Sequence, residues 1–189
     1  MSFKKHKYTI IRKAISKDLV LFIYNYFLMK RQVYDTCLKA KYISPYEELL
    51  GGYREENLQV PDTYFSYADI AMETLLLKCH PMMEKATGLK LQPAYSYTRL
   101  YKTGDVLKRH KDRFSCEIST TMYLGGDPWP IYLSPHENVG VAESEGGKKG
   151  ITVGSKAKGI EVTLKSGDML IYSGCELEHW RNKFKGKDC

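Results

Sequence analysis

The sequence contains no apolar run long enough to cross a bilayer, so nothing in it predicts a membrane-spanning helix. The basic N-terminus, residues 1–13, lacks both the apolar stretch and the small-residue cleavage site of a secretory signal peptide. The five cysteines are scattered and include no C-x-x-C pair, which argues against a zinc knuckle and against a disulfide framework. These absences predict a soluble, cytoplasmic protein with reduced thiols and no membrane partner.

Length and charge set further bounds on the kind of protein. A chain of 189 residues fits one domain, and a hydrophobic content of 43% is enough for a substantial core. The formal net charge of +7 would suit nucleic acid or an acidic partner. A charge excess alone does not create a surface that recognises nucleic acid, and the lysines and arginines are spread along the chain. We therefore expect a solvated basic surface rather than a nucleic-acid interface. Nothing in the sequence indicates the oligomeric state.

The two halves of the chain differ in their patterns. Residues 1–90 favour helices: one begins at an N-cap at Ser16, and a second begins near Tyr67 and ends at Thr87-Gly88, with Pro81 breaking or kinking it. Residues 91–189 favour short strands separated by Gly, Asp and Pro, as in a barrel or sandwich. Strands are expected at 95–101, 106–110, 116–124, 131–134, 159–164, 169–173 and 178–184. The fold class is therefore α+β.

A histidine and an aspartate two residues apart, His110 and Asp112, follow the turn at 103–105 in a segment that favours a strand. Residues i and i+2 of a strand point to the same face, so both side chains can reach one metal ion. His179 follows another strand and glycine turn, 67 residues after Asp112. Two imidazoles and one carboxylate occupy one face of a mononuclear iron(II) ion and leave three positions open. The three residues therefore predict a non-haem iron(II) site.

An isolated H-x-D also fits an ordinary strand histidine followed by an aspartate that opens a turn. The β-prone run 119–124 and the position of His179 favour the metal site, because such positions converge at one open mouth in a jelly-roll barrel. His136 is an alternative ligand. It begins the polar, glycine-rich segment 135–159, which is expected to be a substrate loop or disordered.

The C-terminal half, 95–189, resembles the catalytic core of the 2-oxoglutarate/iron(II)-dependent dioxygenases, in the branch related to prolyl 4-hydroxylases. The resemblance is carried by the run Y-K-T-G-D-V-L-K-R-H-K-D at 101–112, the strand ending at 123–124, the G-D strand at 167–168 and the H-W-R at 179–181. It implies a double-stranded β-helix, or jelly roll, in a single domain over 1–189. Residues 1–90 would form the mainly helical support, and residues 91–189 the barrel that carries the metal site.

The same resemblance assigns roles to individual residues. His110, Asp112 and His179 match the family's three metal ligands, with no further catalytic side chain implied. Tyr101 and Tyr123 match tyrosines beside the cosubstrate 2-oxoglutarate, although core packing would explain both equally simply.

The residue that anchors the distal carboxylate of 2-oxoglutarate departs from the family pattern. The family places an Arg or Lys nine to twelve residues after the last histidine, a window that opens at Asp188, next to the last residue given. We expect Arg181 to take this role, since it shares the inward face of His179 and its guanidinium fork suits a carboxylate. Lys187 is the second choice. A final barrel strand is also expected to be missing.

Two other arginines are weaker candidates. Arg99, two residues before Tyr101, can point into the barrel, and Arg113 can orient the neighbouring Asp112. For each of them a surface salt bridge is the simpler interpretation.

The function that the resemblance implies is hydroxylation of a C–H bond, in a peptidyl residue such as proline, with Fe(II), 2-oxoglutarate and O₂, and with ascorbate as a possible further cofactor. Succinate and CO₂ would be the co-products, and a peptide or protein the partner. A hydroxylase of small molecules or free amino acids is the alternative within the same class. Two further candidate functions lie outside that class. One is an inactive cupin-like metal-binding module, and the other is a demethylase of alkylated nucleic-acid bases that would use the basic surface.

Overall fold

A computed structural model describes residues 2–44, 46–47, 49–53, 60–134 and 155–189. Its helices are α1 (Phe3–His6), α2 (Lys17–Lys39) and α3 (Ile70–Thr87), with one short 3-10 turn at Phe114–Cys116. Its strands are β1 (Tyr8–Ile11), β2 (Tyr64–Tyr67), β3 (Tyr97–Leu100), β4 (Leu107–His110), β5 (Ile118–Met122), β6 (Ile131–Leu133), β7 (Ile160–Val162), β8 (Met169–Ser173) and β9 (His179–Arg181). None of the described helices is both long and apolar enough to cross a membrane.

Helix α2 begins where the sequence predicts. The Ser16 side chain accepts a hydrogen bond from the backbone N–H of Leu19, which confirms Ser16 as the N-cap. Val20, Ile23 and Phe27, spaced three and four residues apart, are buried along one face of the helix.

Helix α3 differs from the prediction at both its start and its middle. It begins at Ile70 rather than near Tyr67, because the Asp69 carboxylate accepts hydrogen bonds from the backbone N–H groups of the second and third helical residues, Ala71 and Met72. It continues without a break through Pro81 to Thr87, so the expected break is wrong. Gly88 follows in the left-handed conformation, as a C-cap requires.

The strands pair antiparallel in three sheets. The strand orders are β1-β8-β5, β4-β9-β6-β7 and β2-β3. Strand β1 was missed by the sequence patterns, although its residues Y-T-I-I have high β propensity. β1 and β2 therefore place two strands within the stretch expected to be mainly helical.

Strand β8 divides the core into two layers. All five of its residues are buried. Leu170 and Tyr172 pack in a cluster with Leu133 of β6, between the two larger sheets. Met169 and Ile171 point to the opposite face and pack in a cluster with residues of α2 and α3. The helices thus cover the outer face of the three-stranded sheet.

The last two residues of the chain take part in strand-like pairing. Tyr101 and Cys189 exchange backbone hydrogen bonds of 2.8 and 3.1 Å, and the Asp188 carbonyl accepts one from the Asp127 N–H at 2.6 Å. Residues 188–189 therefore lie between the end of β3 and the segment that follows β5. This pairing is an isolated bridge and not a further strand, and the expected absence of a final barrel strand stays a prediction.

Candidate metal centre and cavity

Three side chains far apart in sequence meet at one point. His110 is the last residue of β4 and His179 the first of β9, and the two face each other in the antiparallel register. Asp112 lies just beyond β4, with its Oδ1 3.7 Å from His110 Nε2 and 3.4 Å from His179 Nε2. One ligand atom from each residue lies within 4.8 Å of the other two. In the part of the chain that the structure describes, no second group of three such residues converges in this way.

The backbone orients both imidazoles. His110 Nδ1 lies 2.7 Å from the Lys108 carbonyl oxygen, and His179 Nδ1 lies 3.0 Å from the Leu177 carbonyl oxygen. Since a carbonyl only accepts, this network assigns the proton of each ring to Nδ1 and leaves the Nε2 lone pair free. Both Nε2 atoms face Asp112, so the two rings direct the same type of nitrogen to one point.

The carboxylate of Asp112 is held by residues on the turn after β8 and on β5. Its Oδ2 accepts a hydrogen bond from the Ser119 hydroxyl, and its backbone N–H donates to the Gly174 carbonyl at 2.9 Å. Gly174 packs so closely that an added Cβ would lie 2.5 Å from Ser119 Oγ and closer still to Asp112 Oδ2. Oδ1 is thereby left to face the histidines. Sequence patterns missed both supporting residues. The glycine turn after β8 was a visible signal for one of them, and nothing in the sequence marks Ser119.

The electrostatics of the centre favour metal binding. Burial lowers the pKa of His110 to about 4, together with the neighbouring His179 and, more weakly, Arg99. Burial raises the pKa of Asp112, but the two histidines and the Ser119 hydroxyl outweigh it and hold that pKa at about 2. At neutral pH His110 is therefore a neutral donor and Asp112 an anion, which are the protonation states that a divalent cation requires.

His179 differs from its partner. Burial lowers its pKa, but the Asp112 carboxylate raises it more strongly, so the net shift is upward. A bound cation would compete with that proton for the same Nε2 lone pair. The ring is held in place by Tyr172, which packs edge-on against it with centroids 4.8 Å apart.

A cavity of about 990 Å³ opens beside the three residues. Its wall includes a row of aromatic side chains from β3 and the segment before it. The charged residues of the lining carry four positive and two negative side chains: Lys90, Arg99, Arg113, Arg181, Asp112 and Glu117. The pocket is large enough for a small cosubstrate and part of a second ligand, and its charge favours anions.

The structure brings three of the four predicted cosubstrate residues to this cavity. Tyr101, Tyr123 and Arg181 line it, whereas Lys187 is exposed on the C-terminal segment and is not part of the lining. The Tyr123 hydroxyl donates to the Gly126 carbonyl at 2.5 Å, so its proton is already in use. None of these positions tests whether the residues bind 2-oxoglutarate, and their roles stay predictions.

Arg181 is buried, with 8% of its surface exposed, and shares the inward face of β9 with His179. One of its guanidinium nitrogens donates to the Trp129 carbonyl, and the guanidinium lies 5.1 Å from the Trp129 ring centre. The weaker candidates Arg99 and Arg113 also line the cavity. The alternative ligand His136 lies outside the described residues.

No family model matches the sequence, and no curated protein matches it. Solved structures do match. A Pseudomonas putida prolyl-4-hydroxylase aligns with a TM-score of 0.59 and 14% identity, over 98% of this chain and 89% of that one. OsALKBH1 aligns with a TM-score of 0.53 and 11% identity, over 95% and 86%. HygX from Streptomyces hygroscopicus, solved with nickel and 2-oxoglutarate bound, aligns with a TM-score of 0.50 and 14% identity, over 98% and 80%.

At such low sequence identity the structural similarity indicates a shared fold and does not indicate the substrate. The matched structures are 2-oxoglutarate/iron(II) oxygenases, which agrees with the resemblance carried by the sequence motifs. The chain therefore has the fold of the 2-oxoglutarate/iron(II) oxygenases, in a form similar to that of a prolyl-4-hydroxylase.

Proposed function

We propose that this protein is an iron(II)- and 2-oxoglutarate-dependent dioxygenase that hydroxylates a C–H bond. The observation that carries the proposal is the convergence of His110, Asp112 and His179 on one point beside a cavity with an excess of positive charge. Two neutral imidazoles and one carboxylate on the same side suit a non-haem iron(II) ion that must keep positions open. The proposed scaffold is a single domain over residues 1–189, in which residues 91–189 form a double-stranded β-helix. The two larger antiparallel sheets and their interleaved strand order support it.

Each residue of the centre has a defined task in this proposal. His110 and His179 would bind the iron through Nε2, with their rings fixed by backbone carbonyls. Asp112 would bind through Oδ1 while Ser119 holds Oδ2. The iron and 2-oxoglutarate would supply the oxidative chemistry, with O₂ consumed and succinate and CO₂ released. Tyr101 would contact the cosubstrate from the cavity wall.

A peptidyl residue such as proline is our proposed substrate. Support comes from the tyrosines beside the cavity: Tyr95 and Tyr97 line it, and Tyr67 packs on both, with ring centroids 4.8 and 6.3 Å apart. Extended peptides rich in proline dock on aromatic surfaces of this kind. The similar fold of a prolyl-4-hydroxylase is consistent with it. Ascorbate dependence and a cytoplasmic location stay predictions.

The first test replaces a ligand. Asp112→Ala removes the anionic ligand and leaves two neutral nitrogens, so we expect iron affinity and iron-dependent conversion of 2-oxoglutarate to succinate to fall by orders of magnitude. Asp18→Ala, an exposed position on α2, is the control and should behave as the wild type. Unchanged succinate formation in the Asp112→Ala protein would refute the assignment.

The alternatives are separated by two further measurements. A cupin-like binding module would bind a divalent metal but show no visible charge-transfer band with iron(II) and 2-oxoglutarate under anaerobic conditions, and no succinate in air. A nucleic-acid demethylase would retain single-stranded DNA or RNA in a salt-sensitive manner. Retention at low salt that disappears when the tyrosines beside the cavity are replaced would favour that class over a peptide substrate.

A further inference from the structure

We propose that Arg99 of β3 is the residue that binds the distal carboxylate of 2-oxoglutarate, in place of an arginine or lysine that follows the last histidine. The inference rests on the proposed function. It differs from the sequence-based expectation, which gives this role first to Arg181 and then to Lys187.

The alternation of β3 directs Arg99 into the cavity. Leu100 is buried in a cluster with Ile23 and Phe27 of α2, on the helix side of the strand. Arg99 and Tyr101 share the opposite face of the strand from Leu100. Both contribute to the lining of the cavity, as Leu100 does from its own side. The guanidinium thus comes from the wall of the cavity, beside a tyrosine that is expected to contact the cosubstrate.

The guanidinium of Arg99 has unused hydrogen-bonding capacity. Its Nε is buried and has no hydrogen-bond partner among the described residues. Its Nη2 donates to the Tyr97 hydroxyl at 3.3 Å, and the guanidinium carbon lies 4.8 Å from the Tyr97 ring centre. A buried donor without a partner is destabilising unless a ligand completes it.

Arg99 also lacks a charged partner within the protein. Its interactions in the described part of the chain are with the phenols of Tyr97 and Tyr101, and no carboxylate there forms an ion pair with it. A guanidinium removed from water without an anion is costly, and its planar fork matches a carboxylate. Its positive charge also acts on His110. It helps to lower the pKa of that histidine, although burial and the neighbouring His179 lower it more.

The other candidates are less suited to the role. Arg181 donates to the Trp129 carbonyl and lies over the Trp129 ring, much as Arg99 does with Tyr97. Unlike Arg99, it has no buried nitrogen without a hydrogen-bond partner among the described residues. Lys187 is exposed and outside the lining of the cavity. A five-carbon dicarboxylate that chelates a metal through its 2-oxo acid end would extend its second carboxylate toward a cation on the cavity wall, and Arg99 offers a free donor there.

The experiment compares two ligands that differ by one carboxylate. Dissociation constants are measured anaerobically with iron(II), by titration calorimetry and by the charge-transfer band, for 2-oxoglutarate and for 2-oxovalerate, which keeps the metal-chelating end and lacks the distal carboxylate. For Arg99→Gln we expect the Kd of 2-oxoglutarate to rise about 10- to 100-fold, because a charge-assisted hydrogen bond is lost. The Kd of 2-oxovalerate should stay within about twofold of the wild type. Arg99→Lys should fall between the two, since it keeps the charge and loses the fork.

Arg181→Gln and Lys187→Gln are the rival variants. A preference for 2-oxoglutarate that survives Arg99→Gln and disappears in Arg181→Gln would overturn the inference and return the role to Arg181. Equal loss of both ligands in Arg99→Gln and Arg99→Lys would show a structural role and would also overturn it. A wild-type protein that binds neither ligand with iron(II) would instead refute the proposed function itself.

Discussion

Replacing Gly174 by alanine tests whether the geometry at Asp112 controls metal binding. The new Cβ would lie 2.5 Å from Ser119 Oγ, 2.6 Å from the Cys116 carbonyl oxygen and closer still to Asp112 Oδ2. Ordinary van der Waals contact begins at 3.4 Å. The Cys116 carbonyl belongs to the backbone, so the carboxylate and hydroxyl are the groups that can move most easily. They must shift by about 1 Å.

The expected loss of metal affinity follows from the contacts of Asp112 that this shift breaks. Ser119 holds Oδ2 of Asp112, and the Gly174 carbonyl accepts from the Asp112 N–H, so the carboxylate loses its support on both sides. Loss of a group that positions a metal ligand typically lowers metal affinity by about 10- to 100-fold. Overpacking at a buried turn also costs about 1–3 kcal/mol of folding free energy. The Kd for iron(II) should therefore rise by at least about tenfold in a protein that still folds.

The assay is anaerobic competition with a chromophoric chelator, which reports metal affinity directly, together with thermal unfolding. Gly88→Ala is the matched control. Gly88 has φ +75°, so alanine is strained there, but an added Cβ meets nothing within 4 Å and the residue caps α3, outside the metal centre. It should lower the melting temperature and leave the metal Kd unchanged. A Gly174→Ala protein with wild-type metal affinity would refute the reasoning.

Two further outcomes follow from the described contacts. Ser119→Ala removes the hydroxyl that holds Asp112 and should weaken iron binding about tenfold in the chelator assay, and no change would mean that the carboxylate needs no support. Asp69→Asn leaves the buried Lys30 ammonium without its anion and should cost about 3 kcal/mol in urea unfolding at pH 6. Burial raises the pKa of Asp69, but Lys30, the Tyr26 hydroxyl and a backbone N–H lower it further, so the folded pKa lies below the unfolded value. The stability that Asp69 contributes is then present above about pH 4 and lost as the pH falls through the folded pKa, so the difference between the two proteins should shrink at pH 3. A difference that stays constant with pH would contradict this account.

The elements that the sequence predicted well are those with a strong local pattern. Ser16 followed by a helical apolar stripe located the start of α2, and the apolar run M-L-I-Y-S between two turns located β8. The start of α3 was misplaced because tyrosines at 64–67 look apolar in either periodicity. The side chain of Asp69, rather than the apolar pattern, decides where the helix begins.

Other features depend on contacts that no local pattern records. Strand β1 has only four residues, and its partner β8 lies more than 150 residues away in sequence. Residues 188–189 are held by backbone hydrogen bonds to residues 101 and 127, and backbone bonding leaves no signature in side-chain identity. Pairing over such distances is decided by burial of the whole sheet.

The part of the candidate metal centre that depends on local strand geometry was predictable from the sequence. The i, i+2 rule applies to His110 and Asp112 even though Asp112 falls just beyond the end of β4. The meeting of His110 and His179 depended on the register between β4 and β9, which only the resemblance to a known family suggested. The groups that orient the ligands are two backbone carbonyls, a serine on another strand and a glycine turn, and a single sequence does not mark them.

These supporting groups fix the orientation of all three side chains through contacts within the protein. Each imidazole is held by a carbonyl two residues earlier in its own chain segment, and His179 is also held by the ring of Tyr172. The carboxylate is held by a hydroxyl, and its backbone by the turn after the fully buried strand β8. A metal ion that binds these residues in the folded chain would stabilise the fold by mass action. The two imidazole rings lie with their centroids 4.2 Å apart beside the one carboxylate. The pKa values of the two histidines shift in opposite directions: burial and then the neighbouring His179 lower that of His110, whereas the Asp112 carboxylate raises that of His179 against the effect of burial.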